Sequence, residues 1–345
     1  MFQLPKRSLL GLLLLLTAPL AAQSVYVPDN NAAAGGCNVI PFGNSTLSTT
    51  WANQRYQQIA SAADLGNPAV AVICDLAFAP CGTTGAKFIR HFDTIEVVMA
   101  QTSATTLSNT FSANLVTNVQ TVLSATNYDW HQESGAWNRL GLQKDYLYIA
   151  AQGANVVIQV TVTGARHLTT GTAGCHTGGN QRLYAYGYTG APPAVATGTS
   201  LHAQKVEFLF QVSDLHQFGV GCAGTNGTPE LSFTGSAQLG QSLSIDLSNG
   251  PAIRPLYFAL ATSYFDGGVD LQVIGAPGCL EYVPANAILL GGVTDSVGKY
   301  SLSATVPNLP SVVCFRLYAQ YFPQDFGANS AGLTASNYGR ILPGK

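Results

Sequence analysis

Two short polar patterns are the first places to look for chemistry in this 345-residue sequence. His91 and Asp93 are two positions apart, which places both side chains on one face if the segment is a strand. Such a pair could bind a metal or act as acid and base, but it suits a solvated polar face better. Asp266 and Asp270 flank two glycines and could offer oxygens to Ca²⁺. Because calcium needs six to eight oxygen ligands, we expect a plain turn there.

Other motifs match catalytic patterns without the context that the chemistry needs. Residues 219–224 match G-x-G-x-x-G, but a dinucleotide site needs a helix directly afterwards, and residues 225–229 cannot begin one promptly. His131 and Glu133 form an H-x-E pair without the following cysteine pair of zinc deaminases. No G-x-S-x-G elbow occurs, and the acidic residues are too scattered to nominate a glycosidase pair. We therefore predict no catalytic residue, no metal and no cofactor.

Three tyrosines are the best candidates for ligand binding. In a strand, Tyr184, Tyr186 and Tyr188 would share one face. If that face meets solvent, sugar rings could stack on it while the hydroxyls form hydrogen bonds. The alternative is that the rings fill a sandwich core, and we favour it because the small side chains of the opposite face would make a thin core. Trp130 and Trp137 are open to the same two interpretations.

Seven cysteines are informative if the chain is exported, because cysteines tend to pair in oxidising compartments. Cys74 and Cys81 could close a small local loop, whereas Cys222 and Cys279 could close a long one that stabilises the fold by about 4 kcal/mol. Cys314 lies in an apolar run, which suggests a buried and inert thiol. An odd number leaves at least one cysteine free or bonded to another chain. The seven are Cys37, Cys74, Cys81, Cys175, Cys222, Cys279 and Cys314.

The first 22 residues have the pattern of a secretory signal peptide. Lys6 and Arg7 precede a continuous apolar segment, and the small residues Ala21 and Ala22 follow it. The apolar segment is shorter than the roughly 20 residues that a membrane-spanning helix needs. We therefore expect a secreted or cell-envelope protein with no membrane span once this signal is removed.

Composition narrows the possible partners. Charged residues make up 9% of the chain and the formal net charge is −2, so the sequence has no general electrostatic footprint for nucleic acid. Hydrophobic residues make up 47%, which is incompatible with the low hydrophobicity of disordered chains. We therefore expect no nucleic-acid partner.

Strand patterns that could position these residues occur along the whole chain. Val156, Ile158, Val160 and Val162 alternate with other side chains, and this period of two predicts a β-strand. One helix is conceivable over Thr50–Ala63, although its composition also fits a strand. Further strands are predicted over Ala69–Phe78, Phe88–Met99, Tyr146–Ala150, Leu183–Tyr188, Val206–Val212, Leu243–Leu247, Pro255–Ser263, Val269–Ile274, Tyr300–Val306 and Val312–Tyr321.

Many short strands separated by glycine- and proline-rich turns predict an all-β fold. A glycine-rich segment at 213–230 divides the chain. We therefore predict two β-sandwich, jelly-roll-like domains in tandem, covering residues 24–212 and 219–345.

The C-terminal part resembles a module of secreted planctomycete proteins. The matching segments are Gly-Val-Gly-Cys-Ala-Gly-Thr at 219–225 and Gly-Ala-Pro-Gly-Cys at 275–279. The N-terminal part is similar to a jelly-roll-like β-sandwich of the same group of proteins. The segments that carry this resemblance are Trp-Asn-Arg-Leu-Gly-Leu at 137–142 and Asn-Val-Val-Ile at 155–158. The resemblance implies an exported all-β protein and supplies no catalytic residue.

These observations favour a secreted, non-catalytic protein of the cell surface or extracellular matrix with a structural or adhesive role. Its partners would be extracellular polysaccharide or other surface proteins. A carbohydrate-binding module is the sharper alternative, and a secreted polymer hydrolase is the rival from a different class.

Overall fold

A computed structural model describes residues 23–169, 174–211, 213–285, 289–309 and 312–344. The described residues are almost entirely strands and connecting turns, so the predicted all-β class is confirmed. Helical structure among them includes the short 3-10 turns Thr49–Trp51, Phe111–Asn114, Ala150–Gln152 and Leu271–Ile274, and Val312 is also in 3-10 conformation. The predicted signal peptide and Val212, the predicted end of the first domain, lie outside the described residues.

The first fourteen strands lie within residues 23–211, which we call the N-terminal unit. They are β1 (Gln23–Val27), β2 (Gly36–Asn38), β3 (Gln54–Ala60), β4 (Val70–Phe78), β5 (Lys87–Thr102), β6 (Thr117–Glu133), β7 (Asn138–Arg139), β8 (Tyr146–Ile149), β9 (Asn155–Thr163), β10 (Arg166–His167), β11 (Cys175–Thr177), β12 (Arg182–Tyr186), β13 (Gly198–Ser200) and β14 (Val206–Phe210).

Two large sheets of the N-terminal unit enclose a common core. One has the order β1-β14-β4-β7, with β8 also paired to β4. The other has the order β10-β5-β9-β3-β12-β13, with β6 also paired to β5. Phe78 and Phe208 from the first sheet and Val97 and Val160 from the second belong to one buried cluster. Trp130 is fully buried in the same cluster, so of its two predicted placements the core is correct.

The segment interpreted as a possible helix, Thr50–Ala63, has strand β3 at its centre, preceded by the end of the 3-10 turn Thr49–Trp51. Its glutamines are buried with hydrogen-bond partners: Gln57 Nε2 donates to Gln159 Oε1 of β9 at 2.9 Å, and Gln58 Oε1 accepts from the hydroxyl of Tyr56 in the same strand at 2.6 Å. Strand pairing with β9 and β12 therefore overrides the weak helical preference of the Gln and Ala residues.

The other ten strands lie within residues 213–344, the C-terminal unit. They are β15 (Asp214–Phe218), β16 (Glu230–Gly235), β17 (Ser242–Ser248), β18 (Pro255–Ala261), β19 (Val269–Asp270), β20 (Leu280–Glu281), β21 (Leu289–Val293), β22 (Tyr300–Thr305), β23 (Leu317–Pro323) and β24 (Tyr338–Leu342).

The C-terminal unit packs a five-stranded sheet, β15-β24-β23-β18-β21, against a three-stranded sheet, β16-β17-β22. Leu243 and Ile245 of the smaller sheet share a buried cluster with Phe258 and Tyr321 of the larger one. β15 lies within the segment predicted to separate two domains, and it pairs with β24 at the end of the chain. Each sheet stays within one unit, while the division into two domains remains a prediction.

Two predicted strands are wrong in part. Over Val269–Ile274, only β19 is extended, because the Asp270 side chain accepts from the Gln272 amide at 2.9 Å and starts a 3-10 turn. Over Val312–Tyr321, the strand begins only at Leu317, because Cys314 has a φ of 61°. That left-handed conformation is incompatible with an extended strand.

The cysteine pairing differs from the predicted local loop. The three disulfides are Cys37–Cys81, Cys74–Cys314 and Cys222–Cys279. The prediction of a loop between Cys74 and Cys81 is wrong, because β4 runs extended from Cys74 to Phe78 at roughly 3.3 Å per residue, which carries the two cysteines far apart. Cys314 is buried as expected but bonded, so it is not a free thiol.

Cys175 is the free cysteine among the described residues, and it is buried. Burial raises the pKa of its thiol to about 11, although the Arg90 guanidinium opposes this shift. A thiol held protonated in this way is a poor nucleophile. The buried, unreactive thiol is therefore Cys175 and not Cys314, which the sequence had suggested.

The two units are joined by a buried ionic network next to one disulfide. Arg340 of β24 forms ion pairs with Asp75 of β4 and, at 2.9 Å, with Asp214 of β15. Arg139 pairs with Asp214 at 3.3 Å and also with Glu207. Burial acts to lower the pKa of Arg340, but the two carboxylates outweigh it and raise the pKa overall. The network thus holds charges from both units in one desolvated cluster.

The disulfide beside this network crosses between the units. Cys74 is the residue before Asp75, and its partner Cys314 belongs to the C-terminal unit. Arg316 reinforces the same place by donating to the Cys74 carbonyl at 2.9 Å and to Asp145 Oδ1 at 2.5 Å. A covalent bond and charged hydrogen bonds therefore fasten the units at one point.

Candidate functional site

An exposed cluster of aromatic rings lies on β12 and the turn before β3. Tyr184 and Tyr186 have ring centroids 6.1 Å apart and an interplanar angle of 22°. Trp51 continues the row, with its ring 4.7 Å from that of Tyr186. Tyr186 is 38% exposed, and the other two rings are half-buried. We call these three residues the aromatic edge.

Strand alternation explains why Tyr184 and Tyr186 share one face of β12. Leu183 and Ala185 point to the opposite face of β12, where they are buried with Phe111 of the second 3-10 turn. The sequence suggested that Leu183 and Ala185 alone would make a thin core. Phe111, from a segment distant in the sequence, adds a large ring to this core. Tyr184 and Tyr186 consequently do not need to supply that core.

Local packing fixes the rings of the aromatic edge. The Tyr184 ring lies against Gly198 of β13, where a Cβ atom would approach the ring to 2.6 Å. The guanidinium of Arg182 lies 5.2 Å from the centre of the same ring. On the other side, the Ser48 hydroxyl accepts from the Thr50 amide and caps the turn that carries Trp51. These contacts restrict the Tyr184 ring and the turn that carries Trp51.

Tyr188 does not join this surface. β12 ends at Tyr186, and Gly187 follows with a φ of 69°, which redirects the chain. Burial raises the pKa of Tyr188 to about 12, and the nearby Arg55 guanidinium opposes the shift. The expectation that three tyrosines share one face is therefore wrong for Tyr188, because the strand on which it relied is two residues shorter.

Trp137 is placed elsewhere, beside Tyr26 with 5.1 Å between ring centroids.

Trp51, the residue that completes the aromatic edge, was missed by the sequence analysis. A signal was available, because a tryptophan in a turn next to a strand has few ways to bury its ring. Only the pairing of β3 with β12 brings it to Tyr186.

His91 and Asp93 lie on one face, as their spacing indicated, and each has a polar partner there. His91 Nδ1 is 2.6 Å from Asp129 Oδ1, and Asp93 Oδ1 is 2.6 Å from Arg166 Nη1. The hydrogen bond from Arg166 lowers the pKa of Asp93. No group of three or more potential metal ligands occurs in the part of the chain that the structure describes. We interpret the cluster as an ionic contact between β5, β6 and β10.

A groove of about 970 Å³ lies between the two units. On one side, register places Lys87, His131 and Glu133 on the same face of β5 and β6. His216 and Glu230 line the opposite side. Burial lowers the pKa of His131, and it lowers the pKa of His216 to about 4 against the opposing effect of Asp214.

Glycines of the formal G-x-G-x-x-G match also line this groove, for packing reasons. A Cβ atom at Gly219 would meet the Tyr282 ring at 2.7 Å, and one at Gly221 would meet the Pro229 carbonyl at 2.6 Å. The motif leads into a turn between Gly224 and Gly227, so the dinucleotide geometry of strand, glycine loop and helix is not formed there. These glycines permit close contacts between segments of the C-terminal unit.

Comparison with known proteins gives no family. No protein-family model matches the sequence, and no curated protein matches it. Among solved structures, the chain is similar to that of a T=1 Penaeus vannamei nodavirus, at 8% identity over 83% of this chain and 89% of the other. The TM-score is 0.15, a value that supports no statement about fold or function.

No helix in the described part of the chain has the length and apolar character needed to cross a membrane. The three disulfides are compatible with an extracellular location.

Proposed function

We propose that this protein is a secreted, non-catalytic structural or adhesive protein of the cell envelope or extracellular matrix, and that it holds polysaccharide at the aromatic edge. The signal-like pattern of residues 1–22 and the resemblance to secreted planctomycete proteins support export. The disulfides support an oxidising environment.

The observation that carries the proposal is the exposure of Tyr186 between two aromatic neighbours. Apolar ring faces in water are a surface on which the C–H faces of sugar rings can stack. Gly198 packs against the Tyr184 ring and the capped turn carries Trp51, so these two neighbours of Tyr186 lose little side-chain entropy when a ligand binds. A low net charge suits a neutral or weakly charged polymer.

A hydrolase would need convergent groups in a cleft, and the groove between the units is the place to look for them. Among the residues that the structure describes, its lining contains the carboxylates Glu133 and Glu230 from opposite sides and no serine for a triad. The aromatic edge is on β12 and the turn before β3, and none of its residues lines the groove. We therefore favour binding without cleavage.

Tyr186→Ala is expected to weaken retention on an insoluble polysaccharide by about tenfold or more, because truncating an exposed aromatic anchor removes the stacking surface. The measurement is co-sedimentation of the protein, without residues 1–22, with a panel of insoluble glycans. Tyr257→Ala is the matched control, because Tyr257 is 41% exposed but lies in β18 of the C-terminal unit.

The same samples distinguish the rival function. Retention of the unchanged protein without release of soluble sugar fits the proposal. Equal retention of the Tyr186→Ala and unchanged proteins contradicts binding at the aromatic edge. Release of soluble sugars that Glu133→Gln abolishes would instead establish a hydrolase in the groove.

A further inference from the structure

We propose that strand β22 pairs with β22 of a second copy of this chain, which makes a continuous six-stranded sheet across a two-fold axis. β22 is an edge strand, because the three-stranded sheet has the order β16-β17-β22. An edge strand presents a row of backbone donors and acceptors without partners and is a template for adding another strand. The inference does not depend on the proposed binding of polysaccharide.

Two features that often protect an edge, charged side chains and prolines, are absent within β22, which lies between Lys299 and Pro307. Its sequence, Tyr-Ser-Leu-Ser-Ala-Thr, contains no charged residue and no proline. Ser301, Ser303, Ala304 and Thr305 are exposed, and Leu302 is half-buried. Charged side chains and prolines are common devices by which edges avoid pairing. Their absence over six residues favours a strand that has a partner.

The outer face of this sheet is built of hydroxyl groups that already bond across strands. Ser244 Oγ of β17 lies 2.7 Å from Ser303 Oγ, and Asp246 accepts from the Ser301 hydroxyl at 2.5 Å and from the Thr234 hydroxyl at 2.7 Å. Cross-strand hydroxyl pairs of this kind stabilise sheets. A second copy would extend the same pattern of bonds.

The alternation of β22 is self-complementary about a two-fold axis perpendicular to the sheet. Antiparallel partners share a face, so hydroxyl positions must oppose hydroxyl positions. With Ser303 on the axis, Ser301 opposes Thr305 of the other copy, and Leu302 opposes Ala304. The exposed Ala304 then gains an apolar neighbour, and no charge of the strand opposes another. Isologous contacts of this symmetry are the commonest in homo-oligomers.

Ser303→Cys tests the pairing and its register together. Residues directly opposite in an antiparallel pair have Cα atoms about 4.5–5.5 Å apart, which is within the range of a disulfide. We expect the Ser303→Cys protein to form a covalent dimer under mild oxidation, read on a non-reducing gel. Thr234→Cys, an exposed hydroxyl position on the opposite edge strand β16, is the matched control and is expected to stay monomeric on that gel.

A second variant tests the non-covalent dimer by light scattering after size exclusion. Ala304→Lys places an ammonium opposite Leu302 of the other copy and is expected to raise the dimer dissociation constant at least about tenfold. A monomeric unchanged protein would overturn the proposal. So would a dimer that is insensitive to Ala304→Lys, or a Ser303→Cys protein that cross-links no better than Thr234→Cys.

Discussion

Arg340→Met is expected to lower the free energy of unfolding by about 3–5 kcal/mol, the usual cost of removing one partner from a buried ion pair. Asp75 is fully buried and would lose its cation, while its Oδ1 would still accept from the amides of Gly141 and Leu142. Arg139 would remain beside Asp214. Urea unfolding followed by tryptophan fluorescence measures the change, because Trp130 is buried in the core.

Arg166→Met is the control for this variant. Arg166 pairs with Asp93 at 2.6 Å, but both side chains are substantially exposed, so the expected loss is at most about 1 kcal/mol. Equal losses for the two variants would mean that the ionic network between the units contributes no more than a surface pair.

Replacing both Cys74 and Cys314 with serine is expected to cost about 5 kcal/mol in the chain-entropy account, because their disulfide closes a loop with a sequence separation of 240. The loss also removes the disulfide between the units. Denaturant unfolding measures the loss in the free energy of unfolding. Limited proteolysis of the segment between β14 and β15 tests whether the disulfide holds the two units together. We expect faster cleavage there in the variant.

Cys222 and Cys279 provide the comparison. Their disulfide spans a separation of 57 and lies wholly within the C-terminal unit. Replacing both with serine is expected to cost about 4 kcal/mol, without faster cleavage between β14 and β15. If both double variants are cleaved alike, the Cys74–Cys314 bond does not hold the units together.

Local patterns predicted the strands with regular alternation. β9 follows from its four alternating aliphatic residues, and it is confirmed as Asn155–Thr163. β6, a strand of 17 residues, was not predicted, because Thr, Ser, Asn and Gln interrupt its apolar positions. Its pairing with β5 along almost its whole length supplies what its own sequence does not indicate. A strand such as β6 cannot be predicted from local alternation, because it depends on pairing with residues distant in the sequence.

The candidate site shows the same limit. Alternation placed Tyr184 and Tyr186 on one face, but exposure depended on Phe111 covering the opposite face of β12. Trp51 reaches Tyr186 only through the pairing of β3 with β12. The bond between Cys74 and Cys314 joins residues 240 positions apart, and no local pattern marks them as partners.

Mapping the disulfides of the natural protein tests the central claim, which is that the protein is secreted and that a disulfide joins its two units. The protein isolated from the medium or envelope of its own cells is digested without reductant and analysed by mass spectrometry. We expect an N-terminus near Gln23, linked peptides containing Cys74–Cys314, Cys37–Cys81 and Cys222–Cys279, and an unmodified Cys175. An intracellular protein with seven free thiols, or a peptide joining Cys74 to Cys81, would contradict the account.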